Sequence, residues 1–244
     1  MRRKAVVTGG ASGIGAAIAE RFAADGMHVV VADRDAEAAE TLAARIGGES
    51  WVVDLADTAA LEDLRLDCDV LVNNAGVQRV APIHEFVPDD FRFIHRLMLE
   101  SPFLLVRAAL PHMYAQGWGR IINVSSAHGL RASEFKSAYV SAKHGLEGLS
   151  KVTALEGAPH GVTSNCINPG YVRTPLVEKQ IADQAATHGI PEDEVVEKIM
   201  LTRSAIKSLI EPDDVAALAS LLASDAAAMV TGASYVMDGG WTAQ

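Results

Sequence analysis

The chain has 244 residues, of which 49% are hydrophobic, 21% charged and only 5% aromatic, enough apolar material for one sizeable core. A formal net charge of −10 argues against nonspecific binding to nucleic acid or to an anionic membrane surface. No apolar run approaches the roughly 18 residues that span a bilayer. The two cysteines, Cys68 and Cys166, form neither a disulfide framework nor a CxxC metal motif. A cytoplasmic protein with core thiols and no metal is expected.

The basic start Met1-Arg2-Arg3-Lys4 leads directly into Ala5-Val6-Val7-Thr8 and a glycine-rich turn, which reads as a strand over Lys4–Thr8 rather than as a signal peptide. Short Val/Ile-rich runs then alternate with Ala/Leu-rich stretches of helical period. The pattern predicts strands at His28–Ala32, Trp51–Val53, Asp69–Val72, Arg120–Val124, Val162–Ile167 and Ser234–Met237. Helices are predicted over Gly13–Ala24, Ala36–Ile46, Thr58–Leu64, Asp89–Tyr114, Ser137–Glu156 and Asp213–Ala223. Seven strands alternating with helices imply an α/β fold, a doubly wound Rossmann-type sheet of mostly parallel strands with helices on both faces. Residues 175–210 hold helical segments and no strand. Within a single domain spanning 1–244 they read as a small helical insertion placed to cover substrate, since insertions at strand carboxyl ends build ligand sites.

The first turn, Thr8-Gly9-Gly10-Ala11-Ser12-Gly13-Ile14-Gly15, follows a strand and opens a helix. Alone, a glycine-rich loop is only a turn. In this context Gly9, Ser12, Gly13, Ile14 and Gly15 let backbone N–H groups approach a pyrophosphate at a helix N-terminus. Asp33, 18 residues after Gly15, ends the second strand, where a carboxylate accepts from ribose hydroxyls and repels a 2′-phosphate. That favours NAD over NADP, although Arg34 follows. Asp54 ends the third strand, and Asn74 and Gly76 end the fourth, at the sheet edge where a dinucleotide would lie. Ser126 follows the fifth strand, Tyr139 lies 13 residues on, and Lys143 four further, on the same helical face as Tyr139. An ammonium beside a phenol lowers its pKa and makes Tyr139 an acid or base near neutral pH, with Ser126 holding the substrate oxygen and Lys143 also holding the nicotinamide ribose. A lone Tyr-x3-Lys would be a surface pair; the upstream Ser126 and the nucleotide turn set this one apart. Strand six runs into Pro169-Gly170-Tyr171-Val172-Arg173-Thr174, where Pro169, Gly170, Val172 and Thr174 are candidates to bind the nicotinamide carboxamide.

Taken together, these motifs resemble the short-chain dehydrogenase/reductase family over essentially the whole chain. A narrower resemblance is to its bacterial D-3-hydroxybutyrate dehydrogenases. It rests on Ala75-Gly76-Val77-Gln78, Ser126 through Leu130, Lys136 through Gly145, Thr174 through Ile181, and the ending Asp238-Gly239-Gly240-Trp241. The resemblance implies a homotetramer, packed through the helices Asp89–Tyr114 and Ser137–Glu156, that oxidises D-3-hydroxybutyrate to acetoacetate with NAD. It also implies that Gln78, His128, Lys136 and Gln180 grip the substrate carboxylate, with Trp241 near the pocket. Two amides, an imidazole and an ammonium can all donate to a small anion. Arg79 and Arg131 are further cations nearby. One position departs from the family pattern: Met98 stands where relatives carry an Asn that helps hold a water between the lysine and solvent, and a thioether cannot donate that hydrogen bond. Another alcohol dehydrogenase or 3-oxoacyl reductase of the family is the alternative reading; a nucleotide-binding regulator without turnover is a third, which Met98 alone favours.

Overall fold

The computed structural model describes residues 2–175, 177, 178, 181, 185 and 189–243. The strands are β1 (Lys4–Thr8), β2 (His28–Asp33), β3 (Glu49–Val52), β4 (Val70–Asn73), β5 (Gly119–Val124), β6 (Val162–Pro169) and β7 (Ser234–Met237). They form one sheet in the order β3-β2-β1-β4-β5-β6-β7, and every pairing is parallel. The order reverses between β1 and β4, so the carboxyl ends of these two strands part around a crevice.

Parallel strands buried on both faces need apolar side chains in both directions. On β1, Ala5 and Val7 join one cluster with Ile18 and Phe22 of α1 (Gly13–Ala24), Leu42 of α2 (Ala36–Ile46) and Leu222 of a helix near the C-terminus, Pro212–Ala223. Val6 faces the other way, with Leu71, Ile121 and two side chains from the long central helical stretch, Leu105 and Met113. α2 carries Asp35 as its cap, accepting from the Ala38 N–H at 3.1 Å, and ends on left-handed Gly47.

Two predicted helices differ from expectation. Thr58–Leu64 holds only a 3₁₀ turn, Thr58–Leu61, because Leu61 is its one fully buried side chain and a single anchor does not sustain a helix. The stretch predicted as one helix over Asp89–Tyr114 is α3 (Pro88–His95), a π-helical turn (Arg96–Glu100) and α4 (Ser101–Gln116). Pro102 explains the break. It has no N–H for the carbonyl of Met98, four residues earlier, and its ring would crowd that carbonyl in a regular helix. The wider turn moves the carbonyl aside, and Ser101 N–H bonds to Arg96 instead. α5 (Ser137–Gly157) is continuous and packs along β6.

Between Thr174 and Ile210 the described residues include a short helix, Glu192–Val195, a π-helical turn, Val196–Met200, and a separate apolar cluster of Ile181, Val195, Leu201 and Leu209. A parallel bridge between Val172 and Ile210 brings the two ends of this segment together. Among the described residues no helix is long and apolar enough to cross a membrane. α6 is Pro212–Ala223, with a capping box in which the Glu211 side chain accepts from the N–H of Asp214 and Asp214 accepts from Glu211 N–H at 3.1 Å.

Candidate active site

A cavity of about 1350 Å³ opens along the carboxyl edge of the sheet, large enough for a dinucleotide and a small substrate together. One end is built on the β1–α1 turn. Gly9 takes φ +58°, and a Cβ there would come within 2.9 Å of Ala75 Cα. A Cβ on Gly15 would lie 2.1 Å from the Gly9 carbonyl oxygen, so the first turn of α1 can close under the loop only with glycine at that position. Ser12 makes no side-chain cap and the first turn of α1 carries no acidic residue, which leaves its N–H groups directed at the cavity through Gly13 and Ile14. Asp33 lies beside them. Its carboxylate accepts from Ala11 N–H and Asp35 N–H, both at 3.1 Å, and is fixed between the turn and the start of α2. An uncapped helix N-terminus, which donates, and a carboxylate at the end of the next strand, which accepts, are the groups that a dinucleotide's pyrophosphate and ribose require. Asp54, Asn74 and Gly76 continue the wall, and Arg34 lines it as well.

The other end brings Ser126, Tyr139 and Lys143 together. Ser126 is 6% exposed and caps a 3₁₀ turn, its Oγ accepting from His128 N–H at 3.1 Å. Lys143 is buried, with Nζ 5.7 Å from the Tyr139 ring centre and donating to the Val124 carbonyl at 2.6 Å. Burial pushes its ammonium down to about 8. The phenol of Tyr139 differs from the sequence expectation: it lies above its ordinary value, because burial dominates while the Ser126 hydroxyl pulls it down. The ammonium is engaged by Val124 and does not reverse the cost of burying a phenolate. Met98 is 1% exposed and packs with Ala138, Ala142 and Tyr139; its Cε would be 3.4 Å from a Cβ placed on Gly76. It forms an apolar floor where a polar side chain was expected from the family pattern.

Of the residues expected to hold a substrate carboxylate, Gln78, His128 and Lys136 line this end of the cavity, as does Trp241. Gln180 lies outside the described residues. Lys136 is half-buried at the start of α5, over the Tyr171 ring at 5.9 Å, and desolvation lowers its ammonium. His128 Nε2 pairs with Ser133 Oγ at 2.9 Å, and its ring packs edge-on to Tyr139 and tilted against Trp241, with centres 6.1 and 5.2 Å away. Burial, then Lys136, push it down to about 4, so it is a neutral imidazole at physiological pH. Arg79 pairs with Asp90 at 3.1 Å, and Arg131 reaches the Thr242 carbonyl at 3.4 Å. The nicotinamide candidates Pro169, Gly170, Val172 and Thr174 also line the cavity.

Sequence reasoning missed Asp238 and Phe135. Asp238 accepts from the N–H groups of Gly240, Trp241 and Thr242 at 2.8, 3.2 and 2.8 Å and so sets the Trp241 ring; an Asp before two glycines was the available signal. Phe135 adopts φ +66°, a strained conformation for a bulky residue, and its carbonyl accepts from Ala81 N–H at 3.0 Å, which joins two walls just before Lys136. No sequence signal marked it.

A family profile described as enoyl-(acyl carrier protein) reductase matches residues 9–242. A D-beta-hydroxybutyrate dehydrogenase from Rhizobium meliloti is 48% identical, with both chains covered in full. L-sorbose reductase from Gluconobacter frateurii, solved with NADPH and L-sorbose, superposes with a TM-score of 0.90 at 30% identity, over 100% of this chain and 97% of that one. A 4-hydroxyisoleucine dehydrogenase solved with NADH gives 0.89 at 28%, over 100% of each chain. The chain belongs to the short-chain dehydrogenase/reductase family. It is an oxidoreductase acting on a CH–OH group with a nicotinamide dinucleotide.

The histidine gives a pH test of the site. Unfolded, His128 titrates near 6.5; folded, near 4. Between these values the unfolded chain binds more protons, so stability falls as pH drops from about 6.5 toward 4, and His128 contributes no slope above that window. His128→Asn removes this contribution. The gap between the two melting temperatures should therefore shift in favour of the variant as the solution is acidified, measured by thermal unfolding across the window. Parallel curves would show the imidazole to be solvated.

Proposed function

We propose that the chain is an NAD-dependent D-3-hydroxybutyrate dehydrogenase, converting the hydroxy acid reversibly to acetoacetate. The observation that carries this reading is the half-buried Lys136, which lines, with Gln78 and neutral His128, the same cavity as Ser126, Tyr139 and Lys143. The relative of that name at 48% identity supports it. A short anion whose hydroxyl lies close to its carboxylate fits such a site.

When bound, the oxidised nicotinamide supplies the acceptor for the hydride that leaves the carbinol carbon. Ser126 would hold the substrate oxygen. Tyr139 would take the hydroxyl proton at its phenolic oxygen, as general base, and return it in reduction. The Lys143 ammonium, 5.7 Å from the Tyr139 ring centre, would offset part of the cost of the phenolate that this requires and would donate to the cofactor ribose. Asp33, with Gly9, Gly13 and Ile14, would hold the adenosine half. We read the segment 175–210 as the cover of the substrate end, and the acidic chain without a described membrane-spanning helix as cytoplasmic.

Three measurements bear on this reading. Lys136→Ala removes one charge-assisted hydrogen bond of about 1.5–3 kcal/mol, so kcat/KM for D-3-hydroxybutyrate should fall roughly 10- to 150-fold while an uncharged secondary alcohol is spared. Equal losses on both substrates would assign Lys136 a supporting role, and absence of turnover on any 3-hydroxy acid would favour another alcohol substrate of the family. Asp33 faces the position of a 2′-phosphate, so the wild type should use NAD at least about tenfold better than NADP, with Asp33→Ala narrowing the gap; equal or better use of NADP would refute the NAD assignment. A homotetramer is the third expectation, supported by exposed Phe91, Phe103, Val152 and Leu155 on α3–α5. Sedimentation showing only monomer at micromolar concentration would count against it.

A further inference from the structure

Glu147 lies outside the cavity wall and is 5% exposed. It follows Tyr139 and Lys143 at four-residue steps on α5, on the face turned to the sheet. Its Oε1 accepts from Asn168 Nδ2 at 2.6 Å and its Oε2 from Ser234 Oγ at 2.6 Å. The Asn168 amide group also donates to the Ser126 carbonyl at 3.0 Å. A Cβ on Gly129 would lie 3.0 Å from Glu147 Oε1, so the carboxylate sits directly beneath the turn that presents Ser126. One side chain thus ties α5 to the end of β6 and the start of β7 and, through Asn168, to Ser126 two residues beyond β5.

Two neutral donors could be met as well by an uncharged amide, and a buried carboxylate is costly unless a cation answers it. Lys143, one helical turn away on the same helical face and 4% exposed, is a buried cation close along the helix. We propose that Glu147 is a positioning residue of the hydride-transfer site: its carboxylate is the counter-charge that keeps Lys143 an ammonium, and its hydrogen bonds brace the Ser126 backbone through Asn168. The inference rests on the functional reading above for the roles of Ser126, Tyr139 and Lys143.

The surroundings of Lys143 fit this division. Burial lowers it to about 8, and Glu147 pulls the other way. The titratable groups facing it are Tyr139 and Glu147 on α5 and Cys166 on β6. That thiol is held above its ordinary range, first by burial and then by Glu147, and stays neutral. β5 offers the Val124 carbonyl, and the turn beyond it offers Ser125 and Ser126. Lys136 and neutral His128 stand further along the cavity.

Removing the Glu147 charge should therefore lower the Lys143 titration further. Glu147→Gln keeps an acceptor for Asn168 and a partner for Ser234 while removing the charge. Side-chain NMR of isotope-labelled lysines, with Lys143 assigned by Lys143→Arg, should show its midpoint fall by about one pH unit in Glu147→Gln. The alkaline limb of kcat/KM for hydroxy-acid oxidation should move down with it. An unmoved Lys143 midpoint overturns the proposal, whatever the substrate proves to be. Should Glu147→Gln not fold, Glu147→Asp withdraws the charge by one methylene and should move the midpoint the same way by less; again an unmoved midpoint overturns it. Asn168→Ala leaves the charge and cuts the link to Ser126, so kcat should fall about tenfold or more with the midpoint in place; unchanged kcat overturns the bracing role. Tyr139→Phe retaining activity would instead fault the functional reading and leave the Lys143 titration as the test of Glu147.

Discussion

Thr8 and Asn74 clasp the carboxyl ends of β1 and β4. Thr8 Oγ1 donates to the Val72 carbonyl at 3.1 Å and accepts from the N–H groups of Asn74 and Ala75 at 2.9 and 3.2 Å. The Asn74 amide returns two hydrogen bonds, to the Thr8 and Gly9 carbonyls at 2.9 and 3.1 Å. These contacts satisfy backbone groups that the parting strands leave unpaired at the reversal of strand order. They also hold Gly9 in its left-handed turn, and that turn directs the first N–H groups of α1 at the cavity. A Cβ on Gly15 would meet the Asn74 amide nitrogen at 2.6 Å, so the same asparagine limits how α1 begins. The dinucleotide end of the site depends on this one junction. Because β5 and β6 continue in register from β4, the position of Ser126 follows from it too.

At the far end of the cavity the governing term is desolvation. Lys136, Lys143 and His128 are all displaced toward their neutral forms, first by burial. The protein as a whole carries −10, yet around Tyr139 it concentrates groups that gain from a neighbouring anion. An entering carboxylate would offset the burial cost of Lys136, and Tyr139 stands beside Lys143, which burial brings down to about 8. On the function proposed above, substrate charge and acid–base chemistry would be coupled through one poorly solvated volume.

The glycine turn, the strand ends and the Ser126–Tyr139–Lys143 spacing were legible in the sequence because each is local: a turn needs glycine, a strand needs alternation on two apolar faces, and a helix puts every fourth residue on one face. What was not legible depends on partners distant in the chain. Glu147 reads as an ordinary polar helix position until Asn168 and Ser234, 21 and 87 residues on, close around it. The drop in His128 titration comes from Tyr139 and Trp241 packing on its ring and from the charge of Lys136. The raised phenol of Tyr139 comes from its burial, which the Ser126 hydroxyl only partly offsets and which spacing does not reveal. The break before α4 could have been read from Pro102, which removes the hydrogen bond to the Met98 carbonyl; helical periodicity on both sides concealed it.

Met98 connects these observations. The π-helical turn places its apolar side chain against Gly76 and Tyr139, so this wall offers Lys143 no side-chain hydrogen bond. A buried ammonium still requires acceptors and an opposing charge. Here the acceptor is the Val124 carbonyl at the end of β5, and the opposing charge we propose is the carboxylate one turn further along α5. An apolar residue at position 98 is compatible with a charged Lys143 because neither of these groups is drawn from that position. That arrangement makes the buried polar layer beneath Ser126 part of the chemistry rather than only part of the fold.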